Sequence, residues 1–385
     1  MKKFIAFICL IFLFSSHAWA EVTCKATGSS FVKTVPLNIP VISAGADMPL
    51  GSGIYTTDWI SAPSFSSKIL CTTTNSPASF YQAEYIVMDH APRPLSGFNS
   101  GPFAGAIYET SIPGVGVAFS LGTRANTLTL SAPKMIVPQT EMTIQNSSLE
   151  ILPVARSVYI HLIKIGDIPP GNHQFTGNDL PSFSIYNDNI SGREPVWAAP
   201  FTSQKINFSG SMTISVQTCQ TPDVMVEMGK HDISTTFKGV GTTTDWVDVP
   251  VQLTNCPVFH GYYSYTSSGV YWPRIDGEYG PKATATLNNN IGVRIMPSSE
   301  IIDATKGIMA IDSTGSDSAK GVGIQIGWGS TTRSLFNINN ERTYALPKDG
   351  SPTIRLPLAA RYIQTSDTMK PGRADGKAVF LINYY

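Results

Sequence analysis

Apolar and polar side chains alternate with a period of two along much of this chain, in short runs that recur about every 8 to 15 residues. Ser157-Val158-Tyr159-Ile160-His161-Leu162, Val224-Met225-Val226-Glu227-Met228 and the stretch from Lys377 to Tyr385 are clear examples. Successive side chains of a strand point to opposite faces, so each such run offers one face to a core and the other to water. Clusters of Gly, Pro, Asn and Ser separate the runs, and almost no window repeats with the helical period. Short strands at this spacing predict an all-β protein made of sandwiches or barrels.

Three short blocks occur twice, in the same order. Thr57-Asp58-Trp59 stands twelve residues before Cys71, and Thr244-Asp245-Trp246 stands ten before Cys256. Gly114-Val115-Gly116-Val117-Ala118-Phe119 is matched by Gly321-Val322-Gly323-Ile324-Gln325-Ile326, and the run from Leu162 to Gly171 by the run from Tyr362 to Gly372. A chain of 385 residues has room for two domains. The ordered blocks predict two related sandwiches in tandem, over 21–200 and 206–385, with a joint between Asp188 and Lys205 where Pro195 and Pro200 interrupt the pattern. Residues 21–200 are expected to fold alone. The role of the segment from Ile206 to Val216 stays open between a linker and a cover for the first sandwich. Trp59 and Trp246 occupy equivalent places, which predicts a packing role for both.

The first residues change where this protein is expected to work. Lys2 and Lys3 precede eleven apolar residues, Phe4 to Phe14, and Ala18-Trp19-Ala20 offers a small-x-small cleavage pattern before Glu21. This is a secretory signal over residues 1–20. No other stretch approaches the roughly 20 apolar residues of a membrane span, so the exported product is expected to be soluble. Cys9 leaves with the signal, and Cys24, Cys71, Cys219 and Cys256 remain. An even count in an exported chain favours disulfides. Of the three possible connectivities, Cys24 with Cys71 and Cys219 with Cys256 closes loops of similar size within each half. Charge adds one exclusion: 27 basic residues balance 27 acidic ones, so no footprint for nucleic acid or anionic lipid is present.

The run Leu356-Pro357-Leu358-Ala359-Ala360-Arg361-Tyr362-Ile363-Gln364-Thr365, then Pro371-Gly372, then Ala378 to Tyr385, resembles the end of a chaperone-usher fimbrial subunit. Members of that family carry a glycine at the fourteenth position from the end and a penultimate aromatic, here Gly372 and Tyr384. Cys219 and Cys256, with Thr221-Pro222-Asp223-Val224 after the first, also resemble the pilin pattern. The first half resembles the receptor-binding domain of two-domain tip adhesins through Ile112-Pro113-Gly114-Val115-Gly116 and Leu162-Ile163-Lys164-Ile165-Gly166.

This resemblance implies two tandem immunoglobulin-like or jelly-roll β-sandwiches, the second an incomplete pilin domain completed by a donor strand. It implies a periplasmic pilus chaperone, an outer-membrane usher and an adjacent fimbrial subunit as partners, and a final place at the tip of a fimbrium on the cell surface. A missing strand leaves an apolar groove and an unpaired edge that must be covered. Gly372, Ala378, Phe380, Ile382, Tyr384 and Tyr385 are the expected groove strand, with Ala378, Phe380, Ile382 and Tyr384 facing the core. Lys377, Val379, Leu381 and Asn383 are expected on the other face, and the carboxylate of Tyr385 as the group a chaperone grips. Arg361 and Tyr362 fall within the family motif, so a scaffold role is expected for both. Only Glu21, Val22 and Thr23 stand between the signal and Cys24, so the subunit is expected to accept a strand without donating one.

No hydrolase or nucleotide-binding motif is present, and His90, His161, His173, His231 and His260 share no metal-ligand spacing. No enzyme activity, metal or cofactor is expected. A glycan receptor needs aromatic faces for the apolar side of a sugar and polar groups for its hydroxyls, best delivered from loops. Tyr81, Tyr85, Asp89, His90 and Arg93 form one candidate cluster. Asn172, His173, Asn178 and Asp179, with Tyr186, Asn187 and Asp188, form another. The first reading is therefore an adhesin whose first half binds a host or surface glycan; the second is a tip subunit that starts or caps assembly without binding a receptor.

Overall fold

The computed structural model describes residues 21–38, 41–61, 68–121, 126–152, 156–264, 270–271, 282–283 and 285–385, so the signal expected over 1–20 lies outside the described residues. Where alternation is strong, strands form. The runs containing Val158 and Phe380 become the strands Arg156–Lys164 and Ala378–Tyr384.

In the first half Gly53–Ser61, Arg156–Lys164 and Val115–Leu121 lie side by side, each antiparallel to the next. A second sheet faces them, built from Gly171–Thr176, Phe201–Val216, Ser182–Asp188, Ala78–His90 and Lys134–Ile144. Val158, Ile160, Leu162, Phe119, Phe183 and Ile206 fill the space between the sheets. A third, smaller sheet of Val22–Ala26, Ile69–Thr73 and Ser148–Ile151 carries the Cys24–Cys71 disulfide over a separate core that includes Ile144 and Trp197.

The strand Phe201–Val216 runs through the expected joint. Its 16 residues pair with Ser182–Asp188 and Gly171–Thr176 on one side and with Phe31–Asn38 and Ile42–Ser43 on the other. Ile206 to Val216 therefore belongs to the main sheet of the first half. Pro195 and Pro200 bracket only the loop that leads into this strand.

The second half repeats the arrangement. Val247–Val249, Leu358–Gln364, Val322–Trp328, Ile308–Ala310 and Ile301–Asp303 form one sheet, and Arg342–Ala345, Asn290–Pro297 and Ala378–Tyr384 the other. Val293, Ile295, Ile324, Ile326 and Leu356 lie between them, beside the Cys219–Cys256 disulfide.

The duplicated blocks occupy duplicated places. Val117 pairs with Leu162 and its counterpart Ile324 with Tyr362, so the same two strands meet in the same register in both halves. Gly114 and Gly321 are both left-handed, at φ 76° and 77°. A Cβ on either would lie 2.3 Å from the Asp167 carbonyl oxygen or 2.4 Å from that of Thr368. The amides of Ile165 and Thr365 then donate to the carbonyls of Gly114 and Gly321, each at 2.8 Å. Glycine is kept twice for one reason: the turn needs positive φ and a bare Cα. Trp246 lies against Gly327, with the Arg361 guanidinium 4.2 Å from its ring centroid. The side chain of Trp59 lies outside the described residues.

The two halves also interlock. Tyr263, from the second half, is buried in the core of the first, donates its N–H to the Ile54 carbonyl at 3.1 Å and meets Tyr55 edge-on at 5.8 Å. The Asn289 amide reaches the Ser43 carbonyl at 2.9 Å. No sequence pattern announces these contacts, because each rests on one or two residues in a loop.

Candidate functional site

The last strand, Ala378–Tyr384, pairs with Asn290–Pro297 on one side and, among the described residues, with no strand on the other. Ala378, Phe380, Ile382 and Tyr384 pack on the second core, whereas Val379 and Leu381 are exposed. Tyr384, the penultimate aromatic, is buried, and its hydroxyl accepts the Cys219 N–H at 3.1 Å, tying the strand to the disulfide. Burial raises its pKa above the usual tyrosine value, with a small further push from Asp47 against the lowering effect of that hydrogen bond.

Across from this strand runs the segment 221–231. Val224, Val226 and Met228 turn toward the same core, and Met225 between them is 86% exposed. The alternation predicted a strand here, and the chain forms none. No backbone–backbone hydrogen bond among the described residues involves 221–231, since the pairing of Gln220 with Thr254 is not continued. The segment has the side-chain pattern of a strand and lacks a neighbour.

Between these two edges lies a groove of about 1160 Å³, floored by Ile295, Met309, Val322, Ile324, Leu358 and Ala360. Gly372 sits in a loop that lines the groove. A Cβ there would lie 2.2 Å from the Asp317 carbonyl oxygen, which accounts for a glycine at this place. Tyr362 donates its hydroxyl to the Ala374 carbonyl at 2.9 Å, and burial, then Asp375 and Glu227, hold its pKa up.

The candidate receptor residues separate into two places. Tyr85 lies opposite Tyr186 on the neighbouring strand, and their rings stack at 5.4 Å with 20° between planes. The Arg193 guanidinium lies 3.9 Å from the centroid of Tyr81. Burial, then Asp188, raises the pKa of both Tyr85 and Tyr186. Asp89 accepts a hydrogen bond from the Ser184 hydroxyl at 2.6 Å, and His90 and Arg93 are exposed where the strand Ala78–His90 ends. The sheet thus gathers Tyr81 and Tyr85 from one cluster and Tyr186 and Asp188 from the other. Arg193 carries no signal in the sequence, because a lone charge in a loop has no pattern around it.

Asn187, between Tyr186 and Asp188, is buried and accepts a hydrogen bond from the Gln82 amide at 3.0 Å. The other four lie elsewhere. Asn172 accepts from the Gln217 amide at 3.1 Å, His173 bonds the Pro169 carbonyl at 2.6 Å, and Asp179 accepts from the N–H and hydroxyl of Thr176. Asn178 is exposed in the short turn Gly177–Asp179. Asn172 pairs with Ser215, and Tyr186 with Thr202, thirteen residues along one strand. At about 3.3 Å per residue that is roughly 40 Å. The two clusters cannot contact one sugar residue together.

No protein-family model matches the chain. It is 25% identical over 395 residues, 100% of both chains, to the "Fimbria adhesin protein" of Klebsiella pneumoniae. Among solved structures, the CupB6 tip adhesin from Pseudomonas aeruginosa is 14% identical, with a TM-score of 0.33 over 94% of this chain and 95% of that one. The receptor binding domain of the plasmid-born adhesin MrkD1P of Klebsiella pneumoniae is 16% identical, with a TM-score of 0.28 over 52% of this chain and 98% of that one.

Proposed function

We propose that this chain, similar from end to end to a fimbria adhesin protein, is a tip adhesin of a chaperone-usher fimbria. Its first half, extended to Val216, binds a surface receptor, and its second half joins the fibre by accepting a strand. The groove between two unpaired edges carries this reading. A sandwich that leaves Val224 and Val226 half-buried on one side and Phe380 half-buried on the other, with about 1160 Å³ between them, gains most from one more strand: it satisfies both rows of backbone groups and covers the apolar floor. A periplasmic chaperone supplies that strand first, and the next subunit supplies it after passage through the outer-membrane usher. The strand Val22–Ala26 is itself paired with Ile69–Thr73, which ties the residues around Cys24 to the first half.

The receptor is a glycan, and Tyr81, Tyr85 and Tyr186 with Arg193 and Asp188 are its binding face. Tyrosine rings offer apolar surface at little conformational cost, and the guanidinium and carboxylate beside them suit hydroxyl groups. A glycan array with the full chain bound to its chaperone tests both halves of the proposal. Specific, competable binding that falls with Tyr85→Ala and Tyr186→Ala supports the adhesin. Chaperone binding without any glycan binding favours a subunit that starts or caps the fibre.

A further inference from the structure

The unpaired edge of the last strand is not open along its whole length. Tyr385 and Asn290 exchange both backbone hydrogen bonds, at 2.7 and 3.0 Å, and Ser298 donates to the Lys377 carbonyl at 2.9 Å. In an antiparallel pair alternate residues turn their N–H and C=O to the neighbour and the residues between them turn away. Lys377, Val379, Leu381, Asn383 and Tyr385 therefore face Asn290–Pro297, and Ala378, Phe380, Ile382 and Tyr384 present their backbone groups to the outer edge. No backbone–backbone hydrogen bond among the described residues reaches the outward groups of Ala378, Phe380 or Ile382.

Tyr384 is different. The Asp47 N–H donates to the Tyr384 carbonyl at 2.8 Å, and the Tyr384 N–H donates to Asp47 Oδ2 at 2.8 Å. One residue of the first half thus supplies both the donor and the acceptor that an added strand would supply at this rung. The loop holding it has little room to move aside. A Cβ on Gly45 would lie 2.5 Å from the Tyr384 carbonyl oxygen, so the backbone can approach only without a side chain. The ammonium of Lys164, 3% exposed, donates to the Ala46 carbonyl, and the Gly51 N–H donates to the Lys164 carbonyl at 2.7 Å.

We propose that Asp47 is the end-stop of the acceptor edge. It occupies the Tyr384 rung, so a strand entering the groove pairs with Ala378, Phe380 and Ile382 and goes no further, and the first half fixes the register of whatever enters the second. The register claim rests on the strand-acceptor reading above; the hold of Asp47 on Tyr384 does not. A strand continuing past Ile382 would have to displace a charge-assisted hydrogen bond together with the Gly45 loop.

Amide exchange resolved to single residues tests this in the full chain, using wild type, Asp47→Ala and Asp47→Asn, with and without a peptide of alternating valine and threonine as the probe strand. Without peptide, the Tyr384 amide is expected to exchange about tenfold faster in Asp47→Ala, the scale of one lost hydrogen bond. Asp47→Asn, which keeps both groups, should stay near wild type. The Tyr385 amide, bonded to Asn290, should not change in any variant and reports that the strand is intact. With peptide, Ala378, Phe380 and Ile382 gain protection in wild type while Tyr384 stays as it was; in Asp47→Ala, where the Gly45 loop and the N–H of residue 47 still hold the Tyr384 carbonyl, the peptide adds no protection at Tyr384, and protection gained there overturns the end-stop. A Tyr384 amide that exchanges as fast as that of Ile382 in wild type, or is unmoved by Asp47→Ala, overturns the end-stop. Absence of peptide protection at all three open rungs overturns the acceptor reading and the register claim with it, while the exchange of Tyr384 still decides the hold of Asp47.

Discussion

Phe380 shows how a single side chain reports the state of the groove. Alternation places it on the core face, where it is only partly buried because it borders the open side. Full burial of a phenylalanine makes its truncation cost about 3 to 5 kcal/mol. Phe380→Ala should therefore cost well under that range in the chain alone and approach it once a strand covers the groove, as read from denaturation midpoints with and without chaperone. Tyr384, Tyr263 and Tyr108 are buried more deeply, and burial raises the pKa of each. A raised tyrosine pKa favours the neutral form in the folded chain, so its contribution is complete below the ordinary value near 10 and is lost as pH climbs above it. Stability measured by denaturant titration is expected to be independent of these groups up to about pH 10 and to fall beyond, by up to about 1.4 kcal/mol per pH unit for each. The resemblance to fimbrial subunits is what singles out Tyr384 and Gly372 in the sequence. Their reasons, a bond to Cys219 and a carbonyl 2.2 Å from a would-be Cβ, are tertiary contacts that no spacing encodes.

At the scale of elements, period-two alternation reports faces and says nothing about edges. That is why Ala378–Tyr384 was legible as a strand with the correct inward set, and why Val224 to Met228, with an equally good pattern, reads as a strand that the fold leaves without a neighbour. The difference is measurable. Val226→Asp places a charge on the groove's inner border and should abolish chaperone co-purification, whereas Met225→Asp, at a site 86% exposed, should leave it close to wild type. The repeated blocks were legible too, because each turn needs the same glycine. Gly114→Ala and Gly321→Ala are expected to destabilise their own halves similarly, each by at least about 1 to 3 kcal/mol from the strained backbone alone. Differential scanning calorimetry of both variants checks whether the duplicated turn carries a duplicated cost. Pro195 and Pro200 punctuate a loop, and a punctuation mark does not say which sheet the following strand, Phe201–Val216, enters.

For the whole molecule, the halves are less separable than tandem repeats suggest. A fragment of residues 21–200 lacks Phe201–Val216, which is paired on both sides within the main sheet, and is expected to remain unfolded by amide dispersion in NMR spectra. A fragment ending at 216 regains that strand but lacks Tyr263, so it should fold with a melting temperature several degrees below that of the first half in the full chain. The same long strand has a mechanical consequence. When the first half is pulled away from the second, tension enters the first half along the axis of Phe201–Val216, through the end nearest Gln217. Load along that axis runs across the ladder bonds on both flanks, so they resist together in shear; load perpendicular to it would open them one after another like a zipper. The strand thus works as a tendon embedded in the sheet, and the direction of pull decides how much force the first half withstands.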